Sequence, residues 1–385
     1  MKFSNYFKNY YINIFDRIYI SEDALLYKES KKAIERLSLP VKEIVSAKDI
    51  PEEHLNSKTL FITKRKGALV TRCPGTRRHI CCNYLTVDLY EGCTLGCSYC
   101  IMKSYLNFSP ITVYVDSSAS IEEIKRIALS NKDRIVRVGT GEVGDSLQFD
   151  PLFEMSADFI QGLADTENVY FEAKTKTCFV DHLLEIKNKG NGVISFSLNP
   201  EEIILTEETE AFSLDNRLDA ATKAVKAGYN LAFHFDPVIC EEEWEKRYLD
   251  TIEKLSVFPK EKIKWISIGT LRYPPDLKEK IAQAERPYLF DEFVPCADGK
   301  YRYLQRRRKE VYRKLYNRLK EVTNSSIYFC MESDTIWNYA AGNVPGKIPE
   351  TTWLFKKISD MDVASRAATR TSSAAFLARV GGQRP

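Results

Sequence analysis

The chain has 385 residues, 44% of them hydrophobic and 28% charged, proportions ordinary for a globular enzyme with one large domain and an accessory one. Its 56 basic and 53 acidic side chains leave a net charge of +3, so no global field demands a polyanion, and only a local basic surface could attract one. Met1-Lys-Phe-Ser-Asn-Tyr-Phe-Lys8 has neither an apolar core nor a small-residue cleavage site, and no apolar run reaches membrane-spanning length; the expectation is a cytoplasmic protein without a membrane partner.

Residues 1–82 read as an N-terminal accessory region, with a polar helical stretch from Ser21 to Leu37, an apolar segment Leu60-Phe-Ile-Thr63 and a basic turn Lys64-Arg-Lys-Gly67. From residue 83 to 300 the pattern alternates. Tyr84–Tyr90 is expected as a strand, Ile121–Leu129 as a helix and Arg134–Val138 as a strand. Asp150–Leu163 follows as a helix, Val169–Ala173 as a strand, Val180–Ile186 as a helix and Gly192–Ser197 as a strand. Leu214–Ala227 is then helical, Leu231–Phe235 extended, Glu241–Leu255 helical and Ile263–Ile268 extended. Apolar strand runs alternating with helical periods predict a parallel sheet with right-handed crossovers, and six such units favour an α/β fold of partial (β/α)6 barrel type. Residues 301–362 form a C-terminal extension with a helix over Leu304–Val322 and a strand over Ile327–Met331. Residues 363–385 are rich in Ala, Ser and Arg and hold no acid, which predicts a disordered tail.

Barrels of this kind carry chemistry in the loops at the carboxyl ends of their strands, and polar residues collect there. The loop after the first predicted strand reads Glu91-Gly-Cys-Thr-Leu-Gly-Cys-Ser-Tyr-Cys100. Cys93, Cys97 and Cys100 can converge on one soft metal centre, and the next cysteine in the chain is Cys178. Protein-held iron–sulfur clusters normally use four cysteines and structural zinc is closed and four-coordinate. A three-thiol loop therefore suits a cluster that keeps one iron for another ligand. The competing reading is a zinc-bearing nucleic-acid-binding module with its fourth ligand from Cys81, Cys82 or a histidine.

Gly139-Thr-Gly-Glu142 is either a plain turn or a place where Glu142 accepts from an ammonium group; Asp145 either caps the following helix or binds ribose hydroxyls. Tyr99 is either core or an aromatic face for a planar ligand. Lys176 and Arg272 are surface cations or carboxylate clamps, and Ser197 and Asn199 are turn formers or polar anchors. Cys73, Cys81 and Cys82 are either small buried hydrophobes or redox groups. Tyr301, Tyr303, Arg306, Arg307, Arg308, Lys309, Tyr312 and Arg313 interleave bases with aromatics. They form either the solvated face of a helix or a DNA-contacting surface.

With the cysteine loop, Cys100-Ile-Met-Lys-Ser-Tyr105, Ile111-Thr-Val-Tyr-Val-Asp116, Val180-Asp-His-Leu-Leu184, Phe196-Ser-Leu-Asn199, Ser213-Leu-Asp-Asn-Arg-Leu218 and Ala224-Val-Lys-Ala-Gly-Tyr229, the chain resembles the radical S-adenosylmethionine (SAM) superfamily and, within it, spore photoproduct lyases. The likeness runs from about Cys73 to Arg272. It implies a [4Fe–4S] cluster on Cys93, Cys97 and Cys100, with SAM on the open iron and reductive cleavage to a 5′-deoxyadenosyl radical. It also implies DNA lesions of the thymine-dimer type as substrate and an electron donor such as flavodoxin or ferredoxin. Carried over by position, Tyr99 lies near adenine, Asp145 near ribose, Lys176 (or Lys174) at the methionyl carboxylate, Ser197 near the methionyl group and Arg272 near substrate or cofactor. Glu142 occupies the place where such lyases hold a hydrogen-donating cysteine, so Cys178 or Cys330 is the expected substitute. A non-DNA substrate for the same radical chemistry is the second reading.

Overall fold

The computed structural model describes residues 3–76, 79–80, 82–282, 286, 288 and 291–345; the expected tail at 363–385 and Cys81 lie outside them. The strands in chain order are β1 (Arg17–Ser21), β2 (Val41–Ile44), β3 (Thr59–Lys64), β4 (Thr71–Arg72), β5 (Leu85–Thr86), β6 (Tyr90–Glu91), β7 (Ile111–Val115) and β8 (Val136–Thr140). Then follow β9 (Val169–Thr175), β10 (Gly192–Ser197), β11 (Asn230–Val238), β12 (Ile263–Thr270), β13 (Arg272–Tyr273), β14 (Phe293–Pro295), β15 (Tyr301–Tyr303) and β16 (Ser326–Phe329).

The barrel sheet has the order β16-β12-β11-β10-β9-β8-β5-β4. From β5 through β12 every pairing is parallel, which makes the six expected barrel strands. β16 adds a seventh parallel strand beside β12 and β4 an antiparallel edge beside β5. The reason is visible in β10, Gly-Val-Ile-Ser-Phe-Ser, where every residue is buried. A strand buried on both faces carries apolar residues on each of them, here Val193, Ile194 and Phe196 with Ser195 and Ser197 buried among them, and each apolar side chain so buried contributes roughly 1.5–3 kcal/mol. One continuous core runs from Ile18, Leu60 and Val113 in the N-terminal sheet to Phe233, Ile266 and Leu315.

A second sheet, β2-β1-β3-β7-β6, packs beside the barrel. The predicted strand Tyr84–Tyr90 splits, with β5 pairing in the barrel and β6 in the N-terminal sheet, and Ile111–Val115 crosses to pair with β3. The cysteine loop thus leaves β6 and returns to β7 of the N-terminal sheet, and isolated bridges Gly92–Gly144 and Cys97–Glu208 tie it to the loops of the barrel. β13, β15 and β14 form a small antiparallel sheet in that order. No helix among the described residues is long and apolar enough to cross a membrane.

Candidate active site

The loop that carries Cys93, Cys97 and Cys100 is shaped by glycine and tied down on three sides. Gly96 sits at φ +71°, and a Cβ there would lie 2.7 Å from Thr209 Oγ1, so only glycine permits the turn between two of the thiols. On one side Gly92 bridges Gly144 and its N–H donates to the Val143 carbonyl at 3.1 Å. On another, Cys97 forms a bridge with Glu208, and Ser98 N–H donates to Glu207 O at 2.8 Å. The third tie is Gln148, whose amide accepts from Thr94 N–H at 3.1 Å and donates to Thr94 Oγ1 at 2.6 Å. Tyr11 on the N-terminal helix Asn5–Ile14 braces that residue by donating to its carbonyl at 2.7 Å.

Beneath the loop lies a buried network. Glu208 accepts from the Tyr99 hydroxyl, from Arg217 and from Asn199 Nδ2 at 2.8 Å, and Tyr248 donates to Asn199 Oδ1 at 2.7 Å. Tyr99 is therefore held on edge by its hydroxyl, with the Lys176 ammonium 5.9 Å from its ring centre. That ammonium has no hydrogen-bonding or ion-pair partner among the described residues. Burial disfavours its charge, but the Cys97 thiol and the Glu208 carboxylate beside it raise its pKa above the ordinary lysine value. A cation so placed is suited to an anionic ligand.

Cys93 keeps an open side to solvent, yet its sulfur is crowded by protein atoms. That desolvation, with Asp145 and the neighbouring Cys97, raises its thiol pKa well above the usual range; Cys97 is pushed up to about 12, mainly by burial. Thiols under this pressure ionise on meeting a soft metal. Among the described residues no trio of His, Cys, Asp or Glu already stands at metal-ligating distance. The donor set itself fits a [4Fe–4S] cluster held from three sides: three thiols in one loop, close enough for each to feel the others, and no fourth.

Other expected site residues have other partners. Asp145 accepts from Leu147 N–H, Gln148 N–H, Thr175 Oγ1 and Lys176 N–H at 2.7–3.0 Å. With four donors on two oxygens it fastens the turn after β8 to the end of β9, so both of its oxygens are engaged within the protein. Ser197 is buried at the end of β10, its carbonyl taking Arg217 Nη1 at 2.8 Å. Arg272 is not a free clamp: it forms two bonds to Asp236, at 2.9 and 3.1 Å. Gly269 makes room for this pair, since a Cβ there would lie 2.6 Å from the Asp236 carboxylate. His234, expected at a strand end, is mid-strand in the longer β11 and points into the barrel.

The arginine–tyrosine face is corrected further. Arg308 is buried, with Nη1 2.6 Å from both Glu332 oxygens, and Tyr303 and Tyr312 are core residues. Arg307 faces Asp291 at 3.7 Å, leaving Arg306 as the exposed member without an ion pair or hydrogen bond among the described residues. Position 308 falls three before Val311 and seven before Leu315, so helical spacing placed it on the apolar face from the outset.

The structure also brings a further thiol to Glu142. Cys178 has Lys223 and Asp181 as its charged neighbours. The sulfur that meets Glu142 is Cys73, its Sγ 3.8 Å from Glu142 Oε1. Cys330 lies deeper, accepting from Arg272 Nη2 at 3.5 Å, with Cys82 and Cys73 near enough to raise its thiol pKa further, after burial and Asp236. No sequence pattern joins positions 73 and 142; only the antiparallel edge of β4 on β5 brings them together.

A parallel partial barrel with a three-thiol loop after its first strand defines a protein of the radical SAM type. The family model for spore photoproduct lyase matches residues 14–326, and the chain belongs to that family. It is 26% identical over 251 residues to the spore photoproduct lyase of Bacillus subtilis (strain 168), covering 62% of this chain and 72% of the relative. It is 23% identical over 285 residues to that of Clostridium acetobutylicum, covering 70% and 82%. A solved spore photoproduct lyase with dinucleoside spore photoproduct superposes with TM-score 0.70 at 22% identity, over 82% of this chain and 99% of the other. A double variant of such a lyase, with bound AdoMet and dinucleoside spore photoproduct, gives TM-score 0.71 at the same identity and coverage.

Proposed function

We propose that this chain is a radical SAM lyase acting on a thymine-type DNA photoproduct, with Cys73 as the hydrogen-atom donor that replaces the cysteine missing at Glu142. The observation that carries the reading is the 3.8 Å approach of Cys73 Sγ to Glu142 Oε1, which supports a thiol acting from beside the position that the family resemblance gives to its donor. A [4Fe–4S] cluster on Cys93, Cys97 and Cys100 with SAM would supply a radical that takes a hydrogen atom from substrate, chemistry the cofactor carries while the protein positions it. Cys73 then gives its S–H hydrogen to the carbon-centred product radical, and the thiyl radical left on its sulfur returns to the thiol by taking one electron from the flavodoxin- or ferredoxin-type donor and one proton. Lys176 meets the SAM carboxylate, and Tyr99, Asp145, Ser197 and Glu142 line or brace the same recess. Arg306 is the residue best placed for a DNA phosphate.

The deciding experiment incubates anaerobically reconstituted protein with dinucleoside spore photoproduct. Repaired dinucleoside together with 5′-deoxyadenosine is expected. In Cys73→Ser, whose O–H is a poor hydrogen-atom donor, 5′-deoxyadenosine should persist while the product diverts to adducts, and Cys178→Ala should leave the partition unchanged. A wild-type partition in Cys73→Ser would remove that residue from the role. 5′-Deoxyadenosine without repair would move the chemistry to a substrate other than DNA, and zinc without iron or sulfide would favour the binding-module reading.

Lys176→Met should raise the SAM concentration for half-maximal cleavage by about tenfold or more, the loss of one charge-assisted hydrogen bond of about 1.5–3 kcal/mol. Iron per chain should stay the same. An unchanged SAM dependence would return the role to Lys174.

A further inference from the structure

We propose that the turn Met331–Glu332, locked by Arg308, is a clamp that positions Cys73 at the barrel mouth, an inference that rests on Cys73 being the hydrogen donor. The segment carrying Cys73 leaves β4 with Cys73 N–H donating to Tyr84 O at 2.8 Å. Beyond it, two tethers reach the same dipeptide 255 residues away in sequence. Thr76 Oγ1 donates to Met331 Sδ at 3.3 Å, and Ile80 N–H donates to Glu332 O at 2.9 Å in an isolated antiparallel bridge. Cys73 is thus held from both sides: by β5 before it and by the C-terminal extension after it.

The dipeptide is built to stay in place. Cys330 N–H donates to Ile268 O at 2.8 Å, which continues the pairing of β16 with β12. Met331 then adopts φ +53°, a left-handed conformation that a non-glycine residue keeps only where its surroundings over-determine it. Its sulfur also lies 3.8 Å from Lys300 Nζ. Glu332 is 1% exposed, and its carboxylate receives Arg308 Nη1 on both oxygens and Ser333 N–H at 3.0 Å. Arg308 is in turn anchored by Nε to the Tyr303 carbonyl at 3.0 Å. This gives the buried Arg308–Glu332 pair a purpose that barrel closure alone does not require: it fixes the register between the last strand and the segment bearing the thiol. Thr76, Met331, Glu332 and Arg308 are accordingly positioning residues.

The test uses the reconstituted full chain with Thr76→Val, a near-isosteric change at a half-buried site. The first readout is the rate of Cys73 alkylation by iodoacetamide, followed on its own peptide by mass spectrometry. The second is the ratio of repaired product to adduct at equal 5′-deoxyadenosine. Alkylation is expected to rise about fivefold, the opening factor for one net hydrogen bond, with a matching shift toward adduct and unchanged SAM cleavage. Thr76→Ser should restore both. Glu332→Gln, which keeps the shape but weakens the Arg308 anchor, should move the same two readouts in the same direction. Wild-type alkylation rates in both variants overturn the clamp and leave the donor reading intact. Faster alkylation with a wild-type product ratio upholds the clamp and overturns the donor reading instead.

Discussion

Glu208→Ala is expected to cost about 3–5 kcal/mol of folding stability, the penalty for stranding one member of a buried ion pair, and to lower iron bound per chain after reconstitution. Arg217 and Glu208 are both fully buried, so the guanidinium loses its counter-charge out of reach of bulk solvent. Burial alone would raise the Glu208 pKa, yet Arg217 and then Lys176 bring it below the ordinary carboxylate value, which keeps it ionised. Its removal also leaves the Tyr99 hydroxyl and Asn199 Nδ2 without their shared acceptor. Cys97 is bridged to this same residue through the backbone, so collapse of the network shifts one cluster thiol relative to the other two. Glu208→Gln retains an acceptor for Tyr99 and should recover part of the iron content and less of the stability. Chemical denaturation of the metal-free chain, with iron analysis on a parallel sample, separates the two effects. Full iron content in Glu208→Ala would show that the loop holds its shape through Gln148 and Gly92 alone.

The contrast between Glu208 and the cysteines shows what a sequence can reveal. Cys93, Cys97 and Cys100 are legible because their chemistry is local: three ligands in one turn announce themselves by spacing. The barrel strands are legible for a related reason, since β9 through β12 are mostly buried and carry short apolar clusters such as Val193-Ile194 and Leu231-Ala-Phe233, even though polar residues interrupt them. Glu208, Arg217 and Gln148 sit in stretches that read as ordinary polar helix and loop, and nothing local marks them as buried. Arg308 was legible in principle, since its spacing from Val311 and Leu315 puts it on the apolar face, but three consecutive arginines suggested a surface. The pairing of Cys73 with Glu142 is of a third kind. It depends on a two-residue edge strand, β4, whose partner is chosen by tertiary packing, and on a C-terminal turn far along the chain. The division of 84–91 between two sheets is equally non-local, because a short apolar run gives no sign of which sheet edge will take it.

Loss of stability on acidification is expected from the barrel interior, where Glu172→Ala should cost about 3–5 kcal/mol. Glu172 accepts from Arg137 Nη2 at 3.3 Å, His234 Nε2 at 2.7 Å and Trp265 Nε1 at 3.0 Å, while Ser267 Oγ lies 2.7 Å from His234 Nδ1. The Arg137 guanidinium is also enclosed by the rings of Trp265, Tyr84 and Tyr328 at 4.4, 4.5 and 5.0 Å. Burial lowers the His234 pKa below its ordinary 6.5, more than Glu172 raises it, so the folded ring is neutral, donating from Nε2 to Glu172 and accepting from Ser267. The unfolded chain then binds a proton near pH 6.5 that the folded chain refuses. The contribution of His234 is complete above that pH and is lost as the pH falls from there toward the folded value. Glu172 adds to the same trend at lower pH, since Arg137 and His234 hold its carboxyl far below the ordinary range against the effect of burial. A plot of Tm against pH should therefore slope downward below about pH 6.5, and His234→Gln, which keeps a donor to Glu172 without titrating, should flatten the slope between about pH 5 and 6.5 while lowering Tm at neutral pH. An equal slope in that variant would assign the acid sensitivity to carboxylates elsewhere in the chain.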